Sequence, residues 1–436
     1  MIVVVRAMRG RGGRVLGRWG TFTSAVVLVL AALSSGVMAV GAPAPGAAAE
    51  RVPAQPTCGP RWVTAWQAGM QPVPGGGAFV GRTLRMLVHP QVDGTEVRVR
   101  VSNRHGTGPL VLGPVSVARA GSGAGIAGGV RPVRFADQPT VVVPPGAEVY
   151  SDPVPLDVDR GRPLAVSMFL QRAPEVLSAH PDALQTSYVS DPGDFTGSSS
   201  AQGFGTEVRS WLVLSGVDVF APRPINALVA VGDSITDGIG ARVDANQRWT
   251  DALAERLASV GGARRMAVLN AGLSRSELLR DEPASGVGSA LTRFPHDVVA
   301  ATGATDVLLH AGTNDIAAGR AAQEIIDGMT RFADRARAAG LRVYLTTITP
   351  AHTGRHGTRE AVAVREAVNR WVRTEGPAHS DGVFDFAAAV ADPDRPARLA
   401  RRYDSGDGLH LSPDGYRALA RAVDLDRLTG SPCSAP

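Results

Sequence analysis

The sequence contains no lysine, so all 45 of its basic residues are arginines. We interpret this absence as a bias of GC-rich coding rather than as a functional feature. Aromatic residues are also scarce, at 5% of the chain. Histidine, cysteine and aspartate residues form no cluster with the spacing of metal ligands, and the sequence therefore predicts neither a metal site nor a cofactor. With 436 residues, of which 44% are hydrophobic, the chain is long enough for two globular domains.

Acidic residues are absent from residues 1–42, where five arginines precede an apolar stretch over 22–33. This pattern is typical of a secretory signal peptide, which we assign to 1–42. Cleavage after Ala39, Ala42 or Ala49 would each fit the small-residue rule for such peptides. A membrane anchor is the alternative, although the apolar stretch is shorter than the about 20 residues that a spanning helix needs.

The signal peptide changes the meaning of the net charge, which is +5 for the whole chain. Its five arginines account for this excess, so the mature protein is close to neutral. We therefore expect no nucleic-acid partner and, after cleavage, no stable membrane insertion. The expected location is extracellular, and the sequence leaves the oligomeric state open.

The chain has two cysteines, Cys58 after the signal peptide and Cys433 near the carboxyl end. In an exported protein such a pair predicts a disulfide that ties the two ends together. Two unpaired thiols are the alternative interpretation.

Residues 43–57 are rich in alanine, proline and glycine, which predicts a disordered linker. Residues 58–221 contain short apolar or alternating runs, separated by turn residues such as those at 106–109 and 144–146. This pattern predicts a β-sandwich or jelly-roll domain. The predicted strands are 83–88, 95–102, 111–117, 140–143, 164–170 and 211–219.

Residues 222–436 begin with a proline-rich boundary at 222–224 and show a different pattern. Strand-like runs alternate with segments whose apolar residues are spaced three and four apart. This alternation predicts a doubly wound parallel sheet with crossover helices. The predicted strands are 227–231, 266–269, 306–309, 342–348 and 383–386, and the predicted helices are 249–260, 288–301, 321–339, 358–373 and 413–423.

Three candidate site residues follow successive strands of this sheet. Ser234 stands where the first strand breaks into a turn, so its hydroxyl is a candidate nucleophile, or else an ordinary helix cap. Gly272 ends the second strand and is suited to present a backbone N–H to a ligand, or simply ends the strand. Asn314 follows the third strand and is suited to donate its amide N–H to an oxyanion, or forms a capping turn.

Asp407 and His410 precede the last predicted helix. Three residues apart on a loop, the carboxylate can accept the imidazole N–H, which leaves the other ring nitrogen free as a base. Of the nine histidines, only His410 combines an orienting acid with this location. No signal beyond a surface or packing role accompanies the three histidines of the predicted β-sandwich, which are His89, His105 and His180.

The candidate residues are expected to lie close together at one edge of the predicted sheet. The carboxyl ends of parallel strands meet at one edge of a sheet, which is where ligands bind in open α/β folds. A serine, a base with its orienting acid, and two oxyanion donors would therefore lie at the same edge.

The segments Gly232-Asp233-Ser234, Gly272, Asn314 and Asp407-x-x-His410 resemble the four blocks of the SGNH hydrolase superfamily, also called GDSL esterases and lipases. The resemblance covers about residues 225–425, in the family's order. It implies a flavodoxin-like fold, with Ser234 as nucleophile, His410 as general base and Asp407 as the residue that orients it. It also implies an oxyanion hole formed by the N–H groups of Ser234 and Gly272 and the side chain of Asn314.

Two departures from the family pattern are present. Ile235 replaces the usual leucine, and Ser276-Glu277 stand where many secreted bacterial relatives have an Asn-Arg pair. The second departure leaves the shape of the acyl or alcohol pocket open. Residues 58–221 are similar to the β-sandwich that precedes the catalytic domain in some secreted members, through 185–188 and 211–217.

The sequence therefore predicts a secreted serine esterase, with carbohydrate O-acetyl esters among the candidate substrates. A lipase, lysophospholipase or thioesterase on the same fold is one alternative. A secreted carbohydrate-binding protein with a decayed hydrolase domain is another. The expected partner is a small-molecule or carbohydrate ester.

Overall fold

The computed structural model describes residues 58–434. Residues 58–221 are built of antiparallel strands and are termed the β-region. Residues 222–434 alternate strands with helices and are termed the α/β-region. The predicted signal peptide, 1–42, and the predicted linker, 43–57, lie outside the described residues.

The β-region consists of short strands joined by turns. Its strands are β1 (Arg61–Gln67), β2 (Gln71–Pro74), β3 (Arg82–Val88), β4 (Gly94–Ser102), β5 (Leu110–Ala120), β6 (Ile126–Val133), β7 (Val141–Val143), β8 (Glu148–Tyr150), β9 (Val154–Val158), β10 (Leu164–Arg172), β11 (Val176–His180), β12 (Ser187–Pro192), β13 (Thr206–Val208), β14 (Trp211–Leu212) and β15 (Leu214–Ala221).

These strands form three antiparallel sheets. The largest has the order β13-β12-β3-β10-β5-β6 with β7 paired to β5, the second has the order β1-β15-β4-β8 with β9 paired to β4, and the third is β14-β11-β2. Apolar side chains from the two larger sheets, such as Met86, Val99 and Val166, belong to one buried core. This is the arrangement of a β-sandwich, as the sequence predicts.

The α/β-region begins after the turn at 222–225. Its strands are β16 (Asn226–Gly232), β17 (Met266–Gly272), β18 (Ala304–His310), β19 (Arg342–Thr346) and β20 (Gly382–Phe384). Its helices are α1 (Ser234–Asp237), α2 (Trp249–Val260), α3 (Ala290–Phe294), α4 (Thr313–Ala317), α5 (Ala322–Ala338), α6 (Arg359–Thr374), α7 (Gly376–His379), α8 (Phe386–Val390) and α9 (Pro413–Ala422).

The strands of the α/β-region form one parallel sheet in the order β17-β16-β18-β19-β20. This is the flavodoxin-like order, in which the first strand lies one place in from the edge, and it confirms the predicted fold class. Strand β16 is buried along its whole length. Its carboxyl end lies at the topological switch point between β16 and β18, where such folds bind their ligands.

Two of the predicted elements are interrupted or change character in the structure. The strand predicted at 211–219 is divided, because Val213 has a φ of 55° and lets the chain pass from the sheet of β14 to the sheet of β15. The helix predicted at 288–301 is α-helical only as α3 and continues as a π-helical turn over Pro295–Val299. Proline lacks the N–H that a regular α-helix needs at that point.

The β-region and the α/β-region share the larger buried core and are also joined by polar contacts. The N–H of Thr64 donates to the carbonyl of Thr302 at 2.9 Å. The carboxylate of Asp218 accepts from the hydroxyls of Thr64 and Thr302 at 2.7 and 2.9 Å. The predicted division into domains at 58–221 and 222–436 stays a prediction, although its boundary falls between β15 and β16.

The predicted disulfide is present and joins Cys58 to Cys433. It links the start of the β-region to the end of the α/β-region. Between these two cysteines, no helix has the length and apolar character needed to cross a membrane.

Candidate active site

Ser234 is placed by the break between β16 and α1. Asp233 has extended backbone angles and caps α1, because its carboxylate accepts the N–H of Ile235 at 2.9 Å. Gly232 permits the turn, since a Cβ there would lie 2.2 Å from the hydroxyl oxygen of Thr236. The hydroxyl of Ser234 thus sits at the switch point of the sheet, and the residue is 8% exposed.

His410 and Asp407 lie on the loop that leads into α9. The distance from Ser234 Oγ to His410 Nε2 is 2.8 Å, and the distance from His410 Nδ1 to Asp407 Oδ2 is 2.6 Å. The other carboxylate oxygen of Asp407 accepts the N–H groups of Leu409 and His410 at 2.9 and 2.8 Å. The structure therefore brings the serine, the histidine and the aspartate into one continuous hydrogen-bonded line.

This line fixes the state of the imidazole. Since a carboxylate only accepts, Nδ1 carries the proton, and Nε2 is left with a lone pair that accepts the hydroxyl proton of Ser234. Partial burial acts to raise the pKa of Asp407, but the hydrogen bonds from His410 and Leu409 lower it to about 2. Asp407 is consequently an anion at neutral pH.

Asn314 lies in the first turn of α4, next to the same sheet edge. One of its amide hydrogens is donated to the carbonyl of Ser276 at 3.0 Å, which leaves the second for another acceptor. Its neighbour Asp315 is buried and accepts the N–H groups of Leu278 and Leu279 at 2.7 and 3.1 Å. The segment after β17 is thereby held against α4.

Gly272 does not fit the donor role that the resemblance implies for it. Its N–H donates to the side-chain oxygen of Asn270 at 2.8 Å, so it is already engaged. A Cβ at Gly272 would lie 2.2 Å from the backbone nitrogen of Asp237. The glycine is therefore needed for close packing between β17 and α1 rather than for an exposed N–H.

A tight turn follows Gly272. Ser276 N–H donates to the carbonyl of Leu273 at 3.0 Å, and Arg275 within the turn has a φ of 69°, which is unusual for a residue with a side chain. Within the described residues, neither the N–H of Arg275 nor that of Ser234 donates to another protein group. We term residues 273–276 the site turn.

Glu277, one of the departures from the family pattern, is buried directly after the site turn. Burial raises its pKa, with Asp315 acting in the same direction. Its nearest cationic group is Arg320, at 3.8 Å.

Two residues that contact the site were not identified from the sequence. Asp237, at the end of α1, accepts both the N–H and the hydroxyl of Ser274 at 3.1 and 2.9 Å. His180, at the end of β11, lies 3.0 Å from Asp237 through Nε2. No pattern in the sequence marks this contact, because the two residues are on different regions and meet only in the folded chain.

One further histidine, at the carboxyl end of β18, has a structural role. His310, at the end of β18, bonds to the hydroxyl of Thr346 at 2.8 Å, and burial lowers its pKa to about 3, so it is a neutral packed residue. Within residues 58–434, no group of three or more histidine, cysteine or acidic side chains is arranged to hold a metal ion.

The strand order defines a flavodoxin-like α/β domain with a serine at the switch point of its sheet. Residues 230–418 match the model of the GDSL-like Lipase/Acylhydrolase family. No curated protein matches the chain.

Several solved structures are similar to this chain. The carbohydrate acetylesterase Est24 from Sinorhizobium meliloti is 20% identical, with 45% of this chain and 95% of that one covered and a TM-score of 0.34. The aryl esterase of M. smegmatis is 21% identical, with 45% and 95% covered and a TM-score of 0.35. The lipase/acylhydrolase from Enterococcus faecalis is 22% identical, with 45% and 93% covered and a TM-score of 0.37. At these TM-scores the likenesses carry no functional argument.

Proposed function

We propose that the protein is a serine esterase that hydrolyses carboxylic esters through an acyl-enzyme intermediate. The observation that carries the proposal is the hydrogen-bonded line Ser234–His410–Asp407, with distances of 2.8 and 2.6 Å. In this proposal Ser234 is the nucleophile, His410 the general base and Asp407 the residue that orients the imidazole.

The reaction has two halves. His410 Nε2 takes the proton of Ser234 Oγ as the oxygen attacks the ester carbonyl carbon and forms a tetrahedral oxyanion. The oxyanion collapses, the bond to the alcohol oxygen breaks, and His410 returns the proton to the leaving alcohol. Water, deprotonated by His410, then attacks the acyl-Ser234 ester, and the acid and free Ser234 are released.

The oxyanion would be bound by the N–H of Ser234, the second amide hydrogen of Asn314 and the N–H of Arg275. The two backbone groups are proposed because neither has an acceptor among the described residues. Asn314 is tied to the site turn through Ser276, so it and Arg275 belong to one rigid patch. We propose Arg275 in place of Gly272, whose N–H is engaged by Asn270. Each such donor typically contributes about 10²–10³ in rate.

The site is open to solvent beside the residue that orients the imidazole, since the side chain of Asp407 is 50% exposed. An open site can admit an ester group that is attached to a larger molecule. This favours small acyl groups on sugars or other alcohols over long acyl chains, which need an enclosed apolar tunnel. We therefore propose short-chain esters, including carbohydrate O-acetyl esters, as substrates. The disulfide between Cys58 and Cys433 supports an oxidising, extracellular location.

The nucleophile is tested with S234A and a matched control, S259A, which alters an exposed serine on α2. S234A is expected to lose p-nitrophenyl acetate hydrolysis and labelling by a fluorophosphonate probe, because both need the Ser234 oxygen. S259A is expected to retain both. Activity of S234A at the level of the wild type, or fluorophosphonate labelling of a different serine, would contradict the proposal.

The substrate class is tested with p-nitrophenyl esters from C2 to C16, an acyl thioester and acetylated xylan. We expect the highest kcat/KM with C2 and C4 esters. A maximum at C8 or longer would instead indicate a lipase or lysophospholipase, and preference for the thioester a thioesterase. A wild-type protein that neither turns over any of these nor reacts with the fluorophosphonate would be a binding protein with a decayed site.

A further inference from the structure

His180 is a buried histidine of the β-region that reaches the α/β-region. It is 3% exposed, and its ring packs against Trp211 with the ring centroids 5.3 Å apart. Nδ1 lies 2.9 Å from the carbonyl oxygen of Gly69, and Nε2 lies 3.0 Å from Asp237 Oδ1. Both ring nitrogens therefore face oxygen atoms within hydrogen-bond distance.

The two acceptors determine the protonation state of the pair. A carbonyl oxygen only accepts, so Nδ1 must carry a hydrogen, and a neutral imidazole then has no hydrogen left for Nε2. Asp237 Oδ2 accepts the N–H and the hydroxyl of Ser274, as a carboxylate oxygen does. The pair is thus an imidazolium facing a carboxylate. Burial acts to lower the pKa of His180 and Arg248 acts in the same direction, but Asp237 raises it overall.

Asp237 connects this pair to the site. It lies in the same short helix as Ser234, and its Oδ2 holds the N–H and hydroxyl of Ser274 in the site turn. Arg275, the next residue, has a left-handed φ of 69° that the local sequence does not favour. The turn must therefore be held by contacts from outside, which are Asp237 on one side and Asn314 on the other.

We infer that His180 is a positioning residue for the esterase reaction: by holding Asp237, it fixes the site turn and the helical turn that carries Ser234, so the β-region completes the active site. The inference rests on the proposed function. It assigns to the β-region a role within the catalytic site, in addition to its packing against the α/β-region.

Two conservative variants separate the contacts of His180. In H180Q the side-chain amide can reach the position of Nε2 and donate to Asp237, whereas the bond to Gly69 is lost. In H180N the shorter amide can donate to Gly69, whereas Asp237 is left without this partner. Each variant removes one hydrogen bond and one charge, so a purely structural role predicts similar effects for both.

We expect H180N to lower kcat for p-nitrophenyl acetate by about 10–100-fold with little change in KM, because a small displacement of catalytic groups can reduce the rate that much. The kcat of H180Q is expected to stay within about fivefold of that of the wild type. The midpoint temperature of thermal unfolding, measured alongside, should fall by similar amounts in the two variants. Equal kcat values in H180Q and H180N, or a larger loss in H180Q, would overturn the inference. An inactive wild-type protein would instead overturn the proposed function, and the inference with it.

The pH profile gives a second readout that packing alone would not change. When His180 loses its proton, the lone pair of Nε2 faces the carboxylate of Asp237 and the contact becomes repulsive. We expect the kcat of the wild type to fall on the alkaline side and the kcat of H180Q, which has no titrating group there, to remain level. An identical alkaline fall in both proteins contradicts the inference.

Discussion

Asp233, the residue before Ser234, is a buried carboxyl group inside the turn that presents the serine. It is 1% exposed, and burial, assisted by the nearby Asp315, raises its pKa to about 7. Asp233 is not part of the hydrogen-bonded line Ser234–His410–Asp407. It supports that line indirectly, because it caps α1 by accepting the N–H of Ile235. A neutral or a charged carboxyl group can make that contact, so the charge of Asp233 is a cost to the folded state rather than a requirement of the turn.

We expect this cost to show as a pH-dependent stability. Asp233 is protonated in the folded chain up to about pH 7, whereas an unfolded aspartate releases its proton near pH 3.9. Stability therefore falls as pH rises between these values and is constant above them. D233N removes the dependence, so its stability relative to wild type should increase by about 4 kcal/mol between pH 4 and pH 8.

Urea denaturation at several pH values measures this difference. D334N, which alters an exposed carboxyl group on α5, is the matched control and is expected to follow the wild type. Parallel stability curves for D233N and wild type would contradict the assignment of a raised pKa to Asp233.

The individual site residues differ in how far the sequence could reveal them. Ser234, Asp407, His410 and Asn314 stand next to strand ends or helix starts in recognisable spacing, so local pattern was enough to select them. Arg275 is selected by its backbone conformation and its unengaged N–H, for which its residue type gives no indication. His180 acts across two regions of the chain, and such a contact depends on tertiary packing that local pattern does not encode.

At the scale of elements, the packing of α1 against β17 decides the shape of the site. Gly272 is the point of closest approach, because a Cβ there would lie 2.2 Å from Asp237 N and 2.5 Å from the carbonyl carbon of Thr236. Both are backbone atoms of the helical turn that begins with Ser234, and neither can rotate away. Any side chain at Gly272 must displace that turn.

G272A is therefore expected to destabilise the protein by about 1–3 kcal/mol, the usual cost of overpacking. It should also reduce kcat, since the displaced atoms belong to the turn of Ser234. The matched control is G129A in β6, where a Cβ would have no neighbour within 4 Å. Thermal unfolding and p-nitrophenyl acetate hydrolysis measure both effects. Unchanged kcat in G272A would show that the turn adapts and that the contact is not needed for the site.

The periodicity of apolar residues predicts some helices and strands correctly and fails for others. Helix α2 occupies the predicted range 249–260, because its apolar spacing and its end at Gly261 are both local signals. The strand predicted at 211–219 fails at Val213, whose left-handed φ is imposed by the exchange between two sheets. The helix predicted at 288–301 changes character at Pro295, a residue whose consequence depends on what packs around it.

At the scale of the whole molecule, the β-region and the α/β-region are connected by contacts of three kinds. Apolar side chains form a shared core, Asp218 bridges Thr64 and Thr302, and His180 pairs with Asp237. The disulfide adds a covalent link between Cys58 and Cys433, which are 375 residues apart in sequence. Sequence pattern predicted the two regions and the pairing of the cysteines, whereas the docking of one region on the other depends on the complementarity of the folded surfaces.

Neither cysteine belongs to the hydrogen-bonded line of the proposed catalytic residues, and we expect the disulfide to contribute to stability rather than to the chemistry. Replacing both cysteines, C58S with C433S, removes a constraint on the unfolded chain and should lower the free energy of unfolding by about 2–5 kcal/mol. The kcat for p-nitrophenyl acetate at 25 °C should remain that of the wild type, since Ser234, His410 and Asp407 keep their contacts. Wild-type protein treated with a reductant is the control and should unfold at the temperature of the double variant. A double variant as stable as the oxidised wild type, or one that folds normally but loses activity, would contradict this view of the disulfide.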